Sequence, residues 1–273
     1  MKQVLSIVLI LLAILTACKK DVDNENITDP KEGLQKISEA YAAGVSTKIE
    51  LWAKSSLTTG YNQLFVALYD SVSNQTITKA EVKVLPVMDM EMNGMHMSHS
   101  APSVQPESDR AENTLFPFAA VFTMPGNTDQ NKWSLEVTIK RDGQNKTGTA
   151  RLAAEVGPSL PERVKMLTTA EGDKLVVAYF FPVNPKIGIN ELEMIIYRQE
   201  NKMSFLPADN YLLTITPEMP AMGHGSPNNV NPVYTKNGYY KGKVNFTMTG
   251  DWRINLDLAK AGQKNTTFFD LTF

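Results

Sequence analysis

Five short blocks recur in the same order in the two halves of this chain. "GYNQLFVALYD" from Gly60 meets "GINELEMIIYR" from Gly188, sharing Gly, Asn, Leu and Tyr. "VLPVM" at Val84 meets "ITPEM" at Ile215, "FTMPG" at Phe122 meets "FTMTG" at Phe246, and "WSLEVTI" at Trp133 meets "WRINLDL" at Trp252. "KTGTARL" at Lys146 is echoed by "KNTTFFDL" at Lys264. Ordered blocks separated by small insertions read as two copies of one folding unit. The expected boundaries are 44–157 and 158–273, joined at "GPSLPERVK" from Gly157, whose two prolines break regular structure.

From Thr47 onward, runs rich in Val, Ile, Leu, Tyr and Phe alternate with polar residues and stop at Gly, Pro and Asn. That is the pattern of strands, and long helical periodicity is absent. In "WSLEVTI", Trp133, Leu135, Val137 and Ile139 fall on one face, and "WRINLDL" repeats this with Trp252, Ile254, Leu256 and Leu258. The expected fold class is all-β: two tandem immunoglobulin-like antiparallel β-sandwiches, each with six or seven short strands. Both tryptophans read first as core, with Phe122 and Phe246 packed beside them.

The N-terminal residues read as a targeting device. Lys2 precedes an apolar run from Val4 to Leu15 that is short for a bilayer span but suits a secretory signal. "LTAC", Leu15 to Cys18, resembles a bacterial lipobox, and Cys18 is the single cysteine of the chain. Residues 1–17 are then a signal peptide, Cys18 is lipidated, and 18–43 is a polar tether in which "LQKISEAYAA" makes a helical turn or two. The expected location is the cell envelope, lipid-anchored to a membrane on its periplasmic side or at the cell surface. Acyl chains anchor by burial, roughly 0.8 kcal/mol per CH₂. With 27 basic and 29 acidic side chains, nothing points to nucleic acid.

The chemistry is concentrated in "MDMEMNGMHMSH", Met88 to His99. All three histidines of the chain, His96, His99 and His224, lie in the two aligned Pro–Met segments. Met88, Met90, Met92, Met95 and Met97 accompany the first two, and Met219 and Met222 precede the third. In an extended stretch Met88, Met90 and Met92 share a face, and Gly94 allows a turn that brings Met95, His96, Met97 and His99 back. Met124 and Met248, in the paired "FTM" blocks, are placed to approach the same segments. Thioether is a soft, neutral donor that selects Cu(I), whereas zinc asks for Cys, His and carboxylate. Two other readings stay open. Methionine also fills irregular cores, and an exposed methionine cluster also serves as a reversible oxidation site.

The second copy also carries a family likeness. "TPEMPAMGHG" (Thr216–Gly225), the strand "GYYKGKVNFTM" and then "GDWRINLDL" resemble, in that order, the YtkA-like domain family, which is related to FixH-like proteins. The resemblance covers nearly all of the second copy and carries Met219, Met222 and His224 over. It implies a small extracytoplasmic β-sandwich of a kind often linked with copper handling or oxidase assembly. The first copy departs from the pattern, with a longer Met-rich segment and Asn127–Lys132 inserted before its tryptophan. The expected function is copper binding, as a chaperone or buffer that exchanges metal with an envelope protein. The alternative is a structural or interaction module with no metal role. Catalysis is not expected: Ser226 lies only two residues from His224 in "GHGS", no orienting acid accompanies them, and no phosphate or dinucleotide fingerprint is present.

Overall fold

The computed structural model describes residues 29–273. The expected signal peptide, 1–17, and Cys18 lie outside the described residues. Among those described there is no helix. The strands of the first half are β1 (Gln35–Ala42), β2 (Thr47–Ala53), β3 (Leu57–Thr58), β4 (Gly60–Asp70), β5 (Ala80–Met92), β6 (Met95–Ser100), β7 (Ser103–Val104), β8 (Phe116–Phe122), β9 (Asn127–Thr128), β10 (Asn131–Arg141), β11 (Thr147–Ala154) and β12 (Val156–Gly157). Those of the second half are β13 (Val164–Thr168), β14 (Lys174–Phe180), β15 (Gly188–Asn201), β16 (Ser204–Pro207), β17 (Leu212–Met219), β18 (His224–Gly225), β19 (Val230–Tyr234), β20 (Tyr239–Phe246), β21 (Asp251–Lys260) and β22 (Gln263–Thr272).

These strands build two all-β sandwiches of immunoglobulin-like type. In the first, a sheet of order β1-β2-β4-β8-β7 packs on one of order β11-β10-β5-β6, with β9 added to β10. In the second, β13-β14-β15-β20-β19 packs on β18-β17-β21-β22, with β16 added to β15. Apart from β9 and β16, the two orders coincide once the last sheet is read from β22 to β18. Pairing is antiparallel apart from the two-residue contact of β12 with β3.

The alternation in β10 and β21 drives this packing. Trp133, Leu135, Val137 and Ile139 are buried, as are Trp252, Ile254, Leu256 and Leu258, while the residues between them face outward. Each fully buried aliphatic side chain contributes roughly 1.5–3 kcal/mol. The shared "G-x-N" of the first block has a local cause. Gly60 and Gly188 take φ of 97° and 103°, a left-handed conformation that favours glycine. Two residues on, Asn62 Nδ2 donates to the carbonyls of Thr58 (2.7 Å) and Gly60 (2.9 Å). Asn190 Nδ2 donates likewise to Lys186 (2.7 Å) and Gly188 (2.8 Å).

One expectation is corrected. Residues 35–42, read as tether with a helical turn, form β1, which pairs with β2 from Gln35↔Ala53 to Ala42↔Thr47. Only Ala42 of that strand is fully buried. An edge strand with so many polar side chains carries little hydrophobic signal.

The sandwiches meet through the outer faces of their first sheets. Val121 packs with Val164, Val176, Ala178, Ile195 and Tyr197. Tyr61 stacks on Phe180 at 3.8 Å between ring centroids, and its hydroxyl lies 3.2 Å from that of Tyr239. Burial pushes the phenols of Tyr61 and Tyr239 above the ordinary range. The Ser100 N–H, on β6, donates to the Lys202 carbonyl of the second sandwich at 2.8 Å.

Candidate metal centre

Met88 to His99 is a two-residue β-hairpin. Asn93 and Gly94 take φ of 54° and 74°, the left-handed pair required by a type I′ turn. The turn sets the register: Met88↔His99, Asp89↔Ser98, Met90↔Met97, Glu91↔His96 and Met92↔Met95. Directly opposed residues share a face, and faces alternate along each strand. Met88, Met90, Met95, Met97 and His99 therefore occupy one face. Asp89, Glu91, His96 and Ser98 occupy the other, where Ser98 Oγ donates to Asp89 and Arg151 pairs with Asp89 at 3.1 Å. This corrects the reading of His96: strand parity sends it to the polar face, away from the thioethers.

That thioether face is the inner face of the sheet. Met88 is fully buried beside Trp133, its neighbour on β10, and Met90 packs against the same core. Met97 is half-buried, and Met95, at the turn, is exposed. Met88 is thus a core residue as well as a possible donor. The inserted Asn127–Lys132 supports the longer hairpin. It forms β9 and the start of β10, places Asn131 opposite Met90, and its Gln130 carbonyl accepts the Glu91 N–H at 2.9 Å.

His99 carries the most informative contact. Its Nδ1 lies 3.1 Å from the Ser100 carbonyl. A carbonyl only accepts, so this contact calls for a proton on Nδ1, and in the tautomer protonated there Nε2 holds a lone pair. That Nε2 is buried and has no hydrogen-bond partner. An unpaired buried polar group costs about 1–3 kcal/mol. The Trp133 ring stands edge-on to the imidazole at 5.4 Å, and its Nε1–H donates to the Met124 carbonyl at 2.9 Å. Gly126 lines the floor: a Cβ there would fall 2.2 Å from Trp133 Cδ1 and 2.8 Å from Met88 Cε.

The second sandwich repeats this arrangement in smaller form. Met219 pairs with His224 across a tight turn in which the Met222 and Gly223 N–H groups donate to the Met219 carbonyl, both at 3.0 Å. Met219 is buried. Met222 is 58% exposed and sits in the turn, not on the paired face. His224 Nδ1 lies 3.1 Å from the Gly225 carbonyl, and its ring stands edge-on to Trp252 at 6.1 Å. Trp252 Nε1–H donates to the Met248 carbonyl at 3.0 Å, and a Cβ on Gly250 would lie 3.0 Å from Met219 Cε. Phe122 and Phe246 flank the two tryptophans at 5.1 and 5.2 Å. Ser226 Oγ donates to the carbonyls of Asn245 and Pro227, so its bonds run to the main chain.

Trp133 and Trp252, read from sequence as core alone, are also the walls against which the histidines stand. The usable signal was the shared "F-T-M-x-G" ahead of each tryptophan, which supplies both the carbonyl and the glycine floor. Among the described residues no three His, Cys, Asp or Glu side chains gather to hold a metal ion; the donor set at the hairpin is thioether and imidazole.

Residues 181–257 match the YtkA-like family model. That span holds Met219, Met222, His224 and Trp252, and the Met88–His99 hairpin lies outside it. No curated protein matches the chain. Among solved structures, the chain is similar to domains 5-6 of the S-layer protein SbsC, at 14% identity and a TM-score of 0.27, covering 87% of this chain and 99% of that one. It is also similar to the Escherichia coli adhesin FdeC, at 12% identity and a TM-score of 0.25, covering 86% of this chain and 66% of the adhesin chain. The Yersinia pseudotuberculosis adhesin InvE is similar at 15% identity and a TM-score of 0.22, with 89% and 59% covered.

Proposed function

We propose that this chain is a lipid-anchored envelope protein that binds Cu(I) as cargo, acting as a chaperone or buffer, and that both sandwiches are YtkA-like copies. The observation that carries the reading is the buried, unpartnered Nε2 of His99 beside a face of thioethers. Imidazoles that bind metal commonly donate their other ring N–H to a carbonyl, which fixes the tautomer; Nδ1 of His99 makes that bond to Ser100. Thioether sulfur favours Cu(I) over harder ions and has no proton to release on binding. Met88, Met90, Met95, Met97 and His99 are the residues that would hold the ion, with Met92 at the register position opposite Met95. Met219 and His224 form the smaller counterpart.

The test is a Cu(I) titration of the mature protein under reducing conditions against a competing chelator. Replacing Met88, Met90, Met92, Met95 and Met97 by leucine keeps the volume roughly constant, a swap that usually costs under ~1.5 kcal/mol per buried site. The expected result is at least one equivalent of Cu(I) bound by the parent and lost in the variant, with circular dichroism unchanged. A folded variant that holds Cu(I) as tightly as the parent overturns the reading. The anchor is tested separately: Cys18→Ser should move the protein from the membrane to the soluble fraction, and unchanged partitioning would refute lipidation.

A second reading has its own support. Met88 and Met219 are fully integrated core residues, as expected if methionine only fills space. Under that reading the protein is a structural or interaction module, and the leucine variant behaves as the parent does in every assay.

A further inference from the structure

We infer that the two methionine–histidine pairs form a graded set: an enclosed pair in the first sandwich that retains Cu(I), and an open pair in the second that exchanges it with an acceptor protein presenting thioether or thiolate. The inference rests on the copper reading above and adds a division of labour. The pairs share a scaffold and differ in access. Both histidines are half-buried, but the Nε2 of His99 is sealed from solvent, whereas His224 sits between exposed turn residues, Met222 and Gly223 on one side and Gly225 on the other. The ring of His99 is held 5.4 Å from its tryptophan, that of His224 at 6.1 Å. Behind His99 lies a second directly opposed donor pair, Met90↔Met97. Beside His224 the next methionine, Met222, is an exposed turn residue.

Access governs exchange because Cu(I) changes partners most readily when an incoming donor binds before the outgoing one leaves. An incoming side chain meets Met222 at the surface of a short turn, two residues from the half-buried His224. To reach His99 it must displace the hairpin face, which is backed by Trp133 and fixed to the second sandwich through the Ser100 N–H to Lys202 bond. The second pair is therefore the one through which a partner loads or unloads the protein. The first is a reserve that empties slowly.

The experiment loads the full mature chain with two equivalents of Cu(I) under anaerobic reducing conditions and mixes it rapidly with excess bathocuproine disulfonate. The expected result is two phases of Cu(I) release whose rates differ by about tenfold or more, ~1.4 kcal/mol in barrier. His224→Ala removes the fast phase and His99→Phe removes the slow one. Tryptophan emission and circular dichroism confirm that each variant is folded. A single phase, or a fast phase that belongs to His99, overturns the division of labour while leaving copper binding intact. Uptake of one equivalent only, lost in His99→Phe and untouched by His224→Ala, overturns it as well and makes the second pair a scaffold. Failure of the parent to bind any Cu(I) refutes the underlying reading itself.

Discussion

The hairpin from Met88 to His99 and the turn from Met219 to His224 hang from matching scaffolds. Each begins where a buried methionine meets a tryptophan, and each tryptophan donates its indole N–H to the carbonyl of a methionine upstream, Met124 or Met248. Each histidine closes its Nδ1 onto the carbonyl of the next residue at 3.1 Å. Above that floor they part. The first continues through two more cross-strand methionine pairs and recruits Asn127–Lys132 as lateral support, and the second turns back at once. What is common is what the core enforces, and what differs lies toward the turn. Core and candidate chemistry separate by mutation only there, at Met95 and Met97, because Met88 and Met90 also pack into the core.

The sharpest way to break the comparison is at the floor. Trp133→Ala and Trp252→Ala each remove a fully enclosed aromatic, and each should cost about 3–5 kcal/mol in urea unfolding. If the floors are equivalent, the two losses agree within about 1 kcal/mol, a spread ordinary for core truncations. A negligible loss for either tryptophan would end the equivalence. A smaller effect separates the histidines. In chelator, where no metal is bound, His99→Phe should leave stability unchanged or raise it by up to ~1 kcal/mol, because it removes an unpaired buried acceptor. His224→Phe has no such penalty to relieve and should bring no gain. A loss above about 2 kcal/mol for His99→Phe, more than a typical hydrogen bond is worth, would make the imidazole structural.

The smallest effect expected is in acid. Asp70 of the first sandwich accepts the backbone N–H groups of Ser73 and Val72 and pairs with Arg141, which holds its carboxyl far below the usual range. Asp173 of the second is lowered chiefly by its hydrogen bond with Lys260. A depressed carboxyl stabilises the fold above its unfolded value, near 3.8, and that contribution is lost as pH falls through the folded value. Asp70→Asn should flatten the acid limb of the first sandwich's stability and leave the second's unchanged, with Asp173→Asn doing the reverse. Both are surface groups, so the shifts should be small and salt-sensitive. An identical acid limb in the parent and both variants would show that neither carboxylate matters.

Much of this was legible in the residues. The alternation in "WSLEVTI" and "WRINLDL" marks the buried strands because period two is all a half-buried strand needs. The Asn93–Gly94 step marks the turn, and once it is taken as a two-residue turn, parity alone separates His99 from His96. Strand β1 stayed hidden because an edge strand with one fully buried residue looks like any polar segment. The approach of Trp133 to His99 stayed hidden for another reason. It depends on which strands lie side by side, a long-range choice that no local pattern records. The same holds for the Ser100 to Lys202 bond, which joins residues of different sandwiches.

The hairpin's register has a consequence for how its length can change. Because faces alternate with period two, lengthening both arms by two residues adds one opposed pair to the same side and leaves everything beneath unmoved. Lengthening by one residue turns the new side chains to the opposite side. The first segment carries three such opposed pairs, Met88↔His99, Met90↔Met97 and Met92↔Met95, and the second carries one. The proposed donor face is in effect a ruler graduated in even steps. A hairpin built this way can be lengthened or shortened by whole graduations while Trp133, Gly126 and the strands below stay as they are.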